Sequence, residues 1–275
     1  MPTFRDWPRV SQPESEATLW RYLTGAKLED LLATATLYLC RVDRFEDTFE
    51  GSIGQAGADH KRRLLKEFAA PGQDSSYYSA VLSARERFRR FFYASCWHVR
   101  EHEAVSMWNT YLGGNPGVAV RTTFARLRSA VPTAEPGRLV GGLVNYVNYG
   151  RDLFDMLGPI DAYFFKRIEY ADEREYRFIY HHLPDEVYPE EARKLFWLQK
   201  QGHATSIRVD PRAMNFEVET PDHHRHPVNL GAMIDAVVLS PTAPAEFAKH
   251  VAGLVRRANV NCQVVASSLS GEPEF

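Results

Sequence analysis

The chain has 275 residues, 44% of them hydrophobic and 25% charged, a balance that suits a soluble globular protein with ample length for a core. A formal net charge of −2 gives no global attraction to nucleic acid or to an anionic membrane. No apolar run approaches the roughly 20 residues of a membrane helix, and MPTFRDWPRV at the N-terminus lacks the basic region and apolar core of a signal peptide, so the expectation is a cytoplasmic protein with no membrane partner.

In chain order, residues 18–23 (TLWRYL) read as a short strand. Residues 27–35 follow as a helix with Leu28, Leu31 and Leu32 on one face. Residues 36–42 alternate as a strand. The segment 45–51 is a polar and aromatic connection, thinned into a loop by Gly51, Gly54 and Gly57. Residues 59–69 and 77–90 read as helices separated by a break at Pro71-Gly72, the second rich in arginine at 85, 87, 89 and 90. Residues 91–97 fit a buried strand, 104–112 a short helix, 113–117 a turn, 118–121 a strand and 124–131 a helix. A strand lies within 139–149, and 152–165 reads as a helix interrupted at Gly158-Pro159. The segment 165–181, FKRIEYADEREYRFIYH, alternates from Glu173 or shortly after. Residues 186–201 then read as a helix, 205–209 as a strand and 222–227 as a histidine-rich loop. The chain closes with a strand at 234–241, an amphipathic helix at 245–259, a strand at 260–269 and a tail at 270–275. Irregular alternation of strands and helices favours a mixed α+β fold with a mostly antiparallel sheet over a doubly wound parallel one. No stretch resembles a linker, so residues 1–275 are taken as a single domain.

Cys40, Cys96 and Cys262 lie far apart in apolar runs and read as buried, reduced thiols. There is no Walker loop, no GxGxxG after a strand, no GxSxG elbow and no HExxH. The histidines of 222–227 read as surface residues rather than metal ligands, because zinc sites draw three or four ligands from more than one segment. The arginines at 85–90 are interleaved with Glu86 and read as a solvated helix face.

The most chemical stretch is Glu173-x-Glu175-x-Arg177. Residues two apart on a strand share a face, so both carboxylates would look into one space with the guanidinium beside them. Asp47 and Glu50, flanked by Phe45 and Phe49, serve either as turn acids on an aromatic-anchored loop or as acids at a pocket edge.

Several motifs occur in a recognisable order: Leu19-Trp20-Arg21-Tyr22, then Glu46-Asp47-Thr48-Phe49-Glu50, Met107-Trp108-Asn109-Thr110-Tyr111, Gly117-Val118, Lys166 and Tyr170 with Glu173-x-Glu175-x-Arg177, and finally Pro241 with Ser267-Ser268-Leu269. This order resembles the bacterial domain-of-unknown-function family 2971 over about the whole chain. It departs from that pattern at Glu46, Thr48, Trp97-His98 and Tyr170. Arg21, Ser95 and Glu175, with Glu173 two residues before the last, also resemble the Arg/His, Ser/Tyr and Glu order of ADP-ribosyltransferases.

That second resemblance implies an ADP-ribosyltransferase-like fold and NAD as substrate. Glu175 would stabilise an oxocarbenium-like state, Glu173 would orient or deprotonate the acceptor, and Arg21 would pair with the phosphates. Ser95 would position Glu175, while Tyr22, Trp97 or Trp108 would pack on nicotinamide or adenine. Arg177 would join the nucleotide site, and Asp47 and Glu50 its edge. A bacterial toxin or phage-defence effector would add a protein or nucleic-acid acceptor and an antitoxin partner. Two other readings stay open. One is a metal-dependent nuclease gathering Asp47, Glu50, Glu173 and Glu175 around Mg²⁺ or Mn²⁺. The other is a non-enzymatic binding module, with Trp108, Tyr111 and the arginine helix on an exposed surface and the acids paired off. Against any catalytic role stands a structural one, in which Glu173, Glu175 and Arg177 form a cross-strand charge network on a solvated sheet face with Arg21 as a partner.

Overall fold

Alternating side chains make β-strands wherever both faces of a sheet can be covered, and here both are. The structure, a computed structural model, describes residues 5–6, 9–67, 75–132, 138–154, 160–200 and 209–271. Its strands are β1 (Arg5–Asp6), β2 (Thr18–Thr24), β3 (Thr36–Arg41), β4 (Phe92–Val99), β5 (Gly117–Thr123), β6 (Leu139–Leu143), β7 (Asn145–Val147), β8 (Phe165–Arg167), β9 (Glu175–His181), β10 (His223–Pro227), β11 (Ala236–Leu239) and β12 (Gln263–Ala266). Its helices are α1 (Gly25–Thr34), α2 (Gly54–Glu67), α3 (Ser75–Phe88), α4 (Val105–Leu112), α5 (Phe124–Ala130), α6 (Glu190–Lys200), α7 (Leu230–Met233) and α8 (Ala245–Arg257).

Among the described residues, ten strands form one sheet with the main order β1-β6-β9-β4-β2-β5-β11-β12. Every pairing is antiparallel except the outer pairs β1–β6 and β11–β12. The fold is therefore mixed α and β with a mostly antiparallel sheet. The strand β4 is the branch point. Its C-terminal end pairs with β2 through Leu19↔Val99 and Trp20↔His98, and its N-terminal end pairs with β3 through Cys40↔Ala94 and Arg41↔Tyr93. Between these pairings β2 and β3 diverge, leaving a fork beside Ser95, Cys96 and Trp97.

Register fixes what each face carries. Leu19, Leu37, Leu39, Trp97, Val120, Tyr176, Phe178 and Val237 lie on one face and form the largest apolar cluster. Helices α1, α5, α7 and α8 cover it with Leu28, Leu31, Leu127, Met233, Val251 and Leu254. The helix α1 is started by the Thr24 hydroxyl accepting from the Lys27 amide and ended by Ala35 in a left-handed conformation. Each fully buried Leu or Phe of this kind contributes about 1.5–3 kcal/mol.

The opposite face carries two smaller apolar clusters. Phe92, Ala94, Val140, Ile179 and Phe164 make one, packed against Ala84 of α3. Trp20, Tyr22, Ala119 and Val238 make the other, covered by Met107, Trp108 and Leu112 of α4. Between them lie the side chains of Cys96, His98, Glu175 and Arg177, a polar band in an otherwise apolar layer.

Several elements differ from the sequence reading. Residues 223–227 are not a loop but the strand β10, paired over five residues with β3; backbone pairing and the stacking of His224 on Tyr180 at 3.7 Å outweigh its polar composition. The expected helix at 152–165 is irregular at 152–154 and becomes a 3₁₀ turn (Asp161–Phe164) followed by β8. Glu173 does not begin the strand but ends a 3₁₀ segment, Ile168–Glu173. The three cysteines are half-buried free thiols rather than fully buried ones. The expected break at Pro71-Gly72, most of the strand at 205–209 and most of the C-terminal tail lie outside the described residues. Among the described residues no helix is long and apolar enough to cross a membrane.

Candidate functional site: a carboxylate network at the sheet fork

Glu173 and Glu175 do face one space, although not by strand alternation. Arg174 between them adopts a left-handed conformation, φ 45° and ψ 54°, that turns the end of the 3₁₀ segment into β9 and brings the two side chains together. Lys166, from the neighbouring β8, donates to both, at 2.9 Å to Glu173 and 2.7 Å to Glu175. Arg177 donates Nε to Glu175 Oε2 at 2.5 Å and Nη2 to Glu175 Oε1 at 3.1 Å. Its other edge grips Glu50 with Nη1 at 2.6 Å and Nη2 at 2.8 Å, and Nη1 also reaches the Tyr163 carbonyl at 3.1 Å.

Glu50, Glu175 and Arg177 are each no more than 2% exposed. Charges at that depth persist only when they are paired and hydrogen-bonded. Burial pushes the Glu175 carboxyl up, but the charges of Arg177 and Lys166 overcome it and hold it well below the usual carboxylate range. Burial likewise works against the charged forms of Arg177 and Lys166, and the facing carboxylates, Glu175 foremost, raise both above their ordinary values.

Glu173 is the exception. Three carboxylates (Glu50, Glu173, Glu175) face two cations (Lys166, Arg177), so one negative charge is left over when all are ionised. Burial and the adjacent Glu175 put that cost on Glu173, whose carboxyl is pushed up from 4.5 to about 7. Its side chain is also the part of the carboxylate network that reaches solvent, at 14% exposed against 1% for Glu50 and Glu175.

Aromatic and imidazole groups close around this band. The Glu175 backbone amide donates to the Tyr146 hydroxyl at 2.9 Å. The His98 ring nitrogen Nδ1 meets the Glu173 carbonyl at 2.8 Å, and burial holds its pKa below the ordinary value. Tyr111 stacks parallel to Tyr22 at 6.1 Å and lies edge-on to His98 at 5.1 Å. Burial, and then the charge of Glu175, raises the Tyr111 phenol. Tyr170 covers the Lys166 ammonium at 4.6 Å. Burial and the charge of Glu175 also push the Cys96 thiol well up, so it is a poor nucleophile at neutral pH.

The other expected site residues fall elsewhere. Ser95 is opposite Phe178 on the large-core face, so it cannot position Glu175, and its hydroxyl meets no hydrogen-bond partner. Arg21 starts from that same face. It lies in the fork, 5.7 Å from the Trp97 ring, and donates to the Tyr38 carbonyl at 2.8 Å rather than joining the charge network. Burial lowers its pKa, partly offset by Cys96 and Tyr111. Trp97 is fully buried in the large core, and Tyr22 and Trp108 are at most 5% exposed, so none of the three offers a free ring face. Asp47 belongs to an adjoining set: it accepts from Arg167 Nε at 3.2 Å and from the Phe49 amide at 3.0 Å.

The nuclease arrangement therefore lacks its centre. Glu50, Glu173 and Glu175 do converge, but the space a metal would take is filled by an ammonium and a guanidinium, and Asp47 is turned to Arg167. Among the described residues no group of three or more His, Cys, Asp or Glu is arranged to hold a metal ion. The solvated charge network is not found either, since the network is buried and excludes Arg21.

Sequence reasoning passed over Lys166 and His98 as site residues. Charge balance was the available signal for Lys166: three acids and one arginine turned inward require a second cation. Comparisons of the chain with protein-family models, with curated proteins and with solved structures give no match.

Proposed function

We propose that the protein cleaves the nicotinamide–ribose bond of NAD and passes the ADP-ribosyl group to water or to a macromolecular acceptor, in the manner of an ADP-ribosyltransferase. The observation that carries the reading is the Glu173 carboxyl, pushed to about 7 at the solvent-facing end of a network with one surplus negative charge. A group titrating near neutrality is suited to take the proton of an incoming hydroxyl, a contribution of roughly 10²–10⁴-fold. As the C1′–N bond breaks, the positive charge growing on the ribose would be stabilised by that surplus charge. This assigns the substrate-facing role to Glu173, with Glu175 holding Lys166 and Arg177 in place. Arg21 in the fork supplies a cation for the diphosphate, and the exposed part of Tyr111 a ring for the base. The test is release of free nicotinamide from NAD. Turnover by the native protein and its loss in Glu173→Gln, with the fold intact, support the reading; an inert native protein, with and without acceptors, sinks it.

A second reading is favoured by the closure of Glu50 and Glu175, whose oxygens are all engaged. In it the network is a structural clamp and the fork a ligand-binding surface without chemistry. Saturable binding of NAD with no nicotinamide released, unchanged in Glu173→Gln, would choose it over catalysis.

A further inference from the structure

The turn that presents Glu173 is held by the end of β4 and the residue after it. The carbonyls of Asp172, Glu173 and Arg174 accept, in turn, from the Arg100 guanidinium, from His98 Nδ1 at 2.8 Å and from the Val99 amide at 2.9 Å. The hold on Arg174 is backbone alone, and Arg100 also takes the exposed Asp172 carboxylate at 2.6 Å. The hold on Glu173 itself comes from a side chain that is 1% exposed. A carbonyl oxygen only accepts, so Nδ1 carries the ring hydrogen. Burial lowers the His98 pKa, and the charges of Lys166 and Arg100 add to it against that of Glu175, so the ring is uncharged at neutral pH. Register puts His98 opposite Glu175 on the same sheet face, and the ring is packed against Tyr111 at 5.1 Å and Tyr22 at 5.8 Å.

The Glu173 carboxyl is faced by Glu175 of β9 and Lys166 of β8, and Tyr146 of β7 and Tyr111 of α4 are close enough to feel its charge. Where it lies decides when it titrates: beside Glu175 and out of water it keeps its proton, and in open water it releases it. A side chain held by a fixed backbone and a packed partner stays where it is presented. We propose that His98 is a positioning residue for Glu173: its Nδ1–H fixes the Glu173 backbone so that the carboxyl is presented beside Glu175 and Lys166 rather than to open water. The consequence for turnover rests on the reading of Glu173 as the group that takes the acceptor's proton; the positioning itself does not.

Carbon-13 NMR of the full chain, labelled at the glutamate carboxyls and titrated without NAD, tests this, with the Glu173 signal assigned by its loss in Glu173→Gln. His98→Asn puts an amide N–H where Nδ1 stands, His98→Gln puts it where Nε2 stands, and His98→Leu has no donor. The native ring is uncharged, so none of the three changes the charge around Glu173, and a moved midpoint reports a moved carboxyl. The expected midpoint is near 7 in the native protein, within about half a pH unit of that in His98→Asn, and lower by about one pH unit or more in His98→Leu and His98→Gln. The Gln variant keeps the measurement decisive if the Leu variant fails to fold. A midpoint unmoved in either of these when folded, or moved as far in His98→Asn, overturns the proposal. Where NAD is turned over, the pH at which the rate rises should move with the midpoint. An inert native protein would count against the catalytic reading alone, and an unmoved midpoint against the positioning alone.

Discussion

The Arg177 guanidinium holds both oxygens of the Glu50 carboxylate, at 2.6 and 2.8 Å, although 127 residues of chain separate the two. Each is 1% exposed, so removing either strands the charge of the other. Breaking a buried pair by deleting one partner costs about 3–5 kcal/mol. Glu50→Gln is expected at the lower end of that range, because Arg177 keeps Glu175. Arg177→Met is expected at the upper end, because two carboxylates lose their partner. Urea unfolding measures both, and a loss under about 1 kcal/mol in either would show that the network is not buried as described.

The contribution of Glu173 to stability should fall as pH rises from 4.5 to 7. The folded Glu173 carboxyl titrates near 7, above its ordinary 4.5, so the native state holds a proton that the unfolded chain has released. The contribution of Glu173 is full below 4.5 and gone above 7. Glu175 acts in the opposite sense, stabilising above its unfolded value and losing that contribution as pH falls through its depressed folded value. Glu173→Gln should therefore gain stability relative to the native protein as pH rises from 4.5 to 7, and a difference in urea midpoint between the two that stays constant over half-unit pH steps would show the assignment wrong.

Gly51→Ala should destabilise the protein by about 2 kcal/mol or more. Gly51 has φ 78°, and an added methyl would lie 2.5 Å from the Tyr163 ring. Because Gly51 adjoins Glu50, part of the loss comes from displacing that carboxylate. The double variant with Glu50→Gln should then cost less than the sum of the two singles, and strict additivity in thermal unfolding would count against it.

Glu103 ties the end of the chain to α4. Its Oε2 accepts from Ser267 Oγ at 2.5 Å and Trp108 Nε1 at 2.8 Å, and its Oε1 from the Ser268 amide at 2.6 Å and hydroxyl at 2.7 Å. Glu103→Ala should cost about 1–3 kcal/mol and speed amide exchange at 267–269 before it affects the sheet. Unchanged exchange at Ser268 would refute this.

The elements that were legible in the sequence are those with one apolar face. Leu28, Leu31 and Leu32 marked α1, and Val251, Leu254 and Val255 marked α8, because each has a core on one side only. β10 was not legible, since its five residues HHRHP carry no apolar alternation and its pairing with β3 is made by backbone. Within the site, the pairing of Glu173 and Glu175 was visible as spacing, but the cause was not: a left-handed Arg174 leaves no compositional mark. Ser95 illustrates the reverse error. Sequence order placed it between Arg21 and Glu175, while β-sheet register placed it on the other face.

The clamp between Glu50 and Arg177 also has a kinetic consequence. Glu175, Lys166 and Arg177 lie within a dozen residues of one another and can meet early, whereas Glu50 arrives only when a long loop of chain closes. Until then Arg177 must keep water about its outer edge. Docking of the 48–53 loop and drying of that part of the sheet are thus one event, placed late in folding. Substitutions at Glu50 should speed unfolding far more than they slow folding.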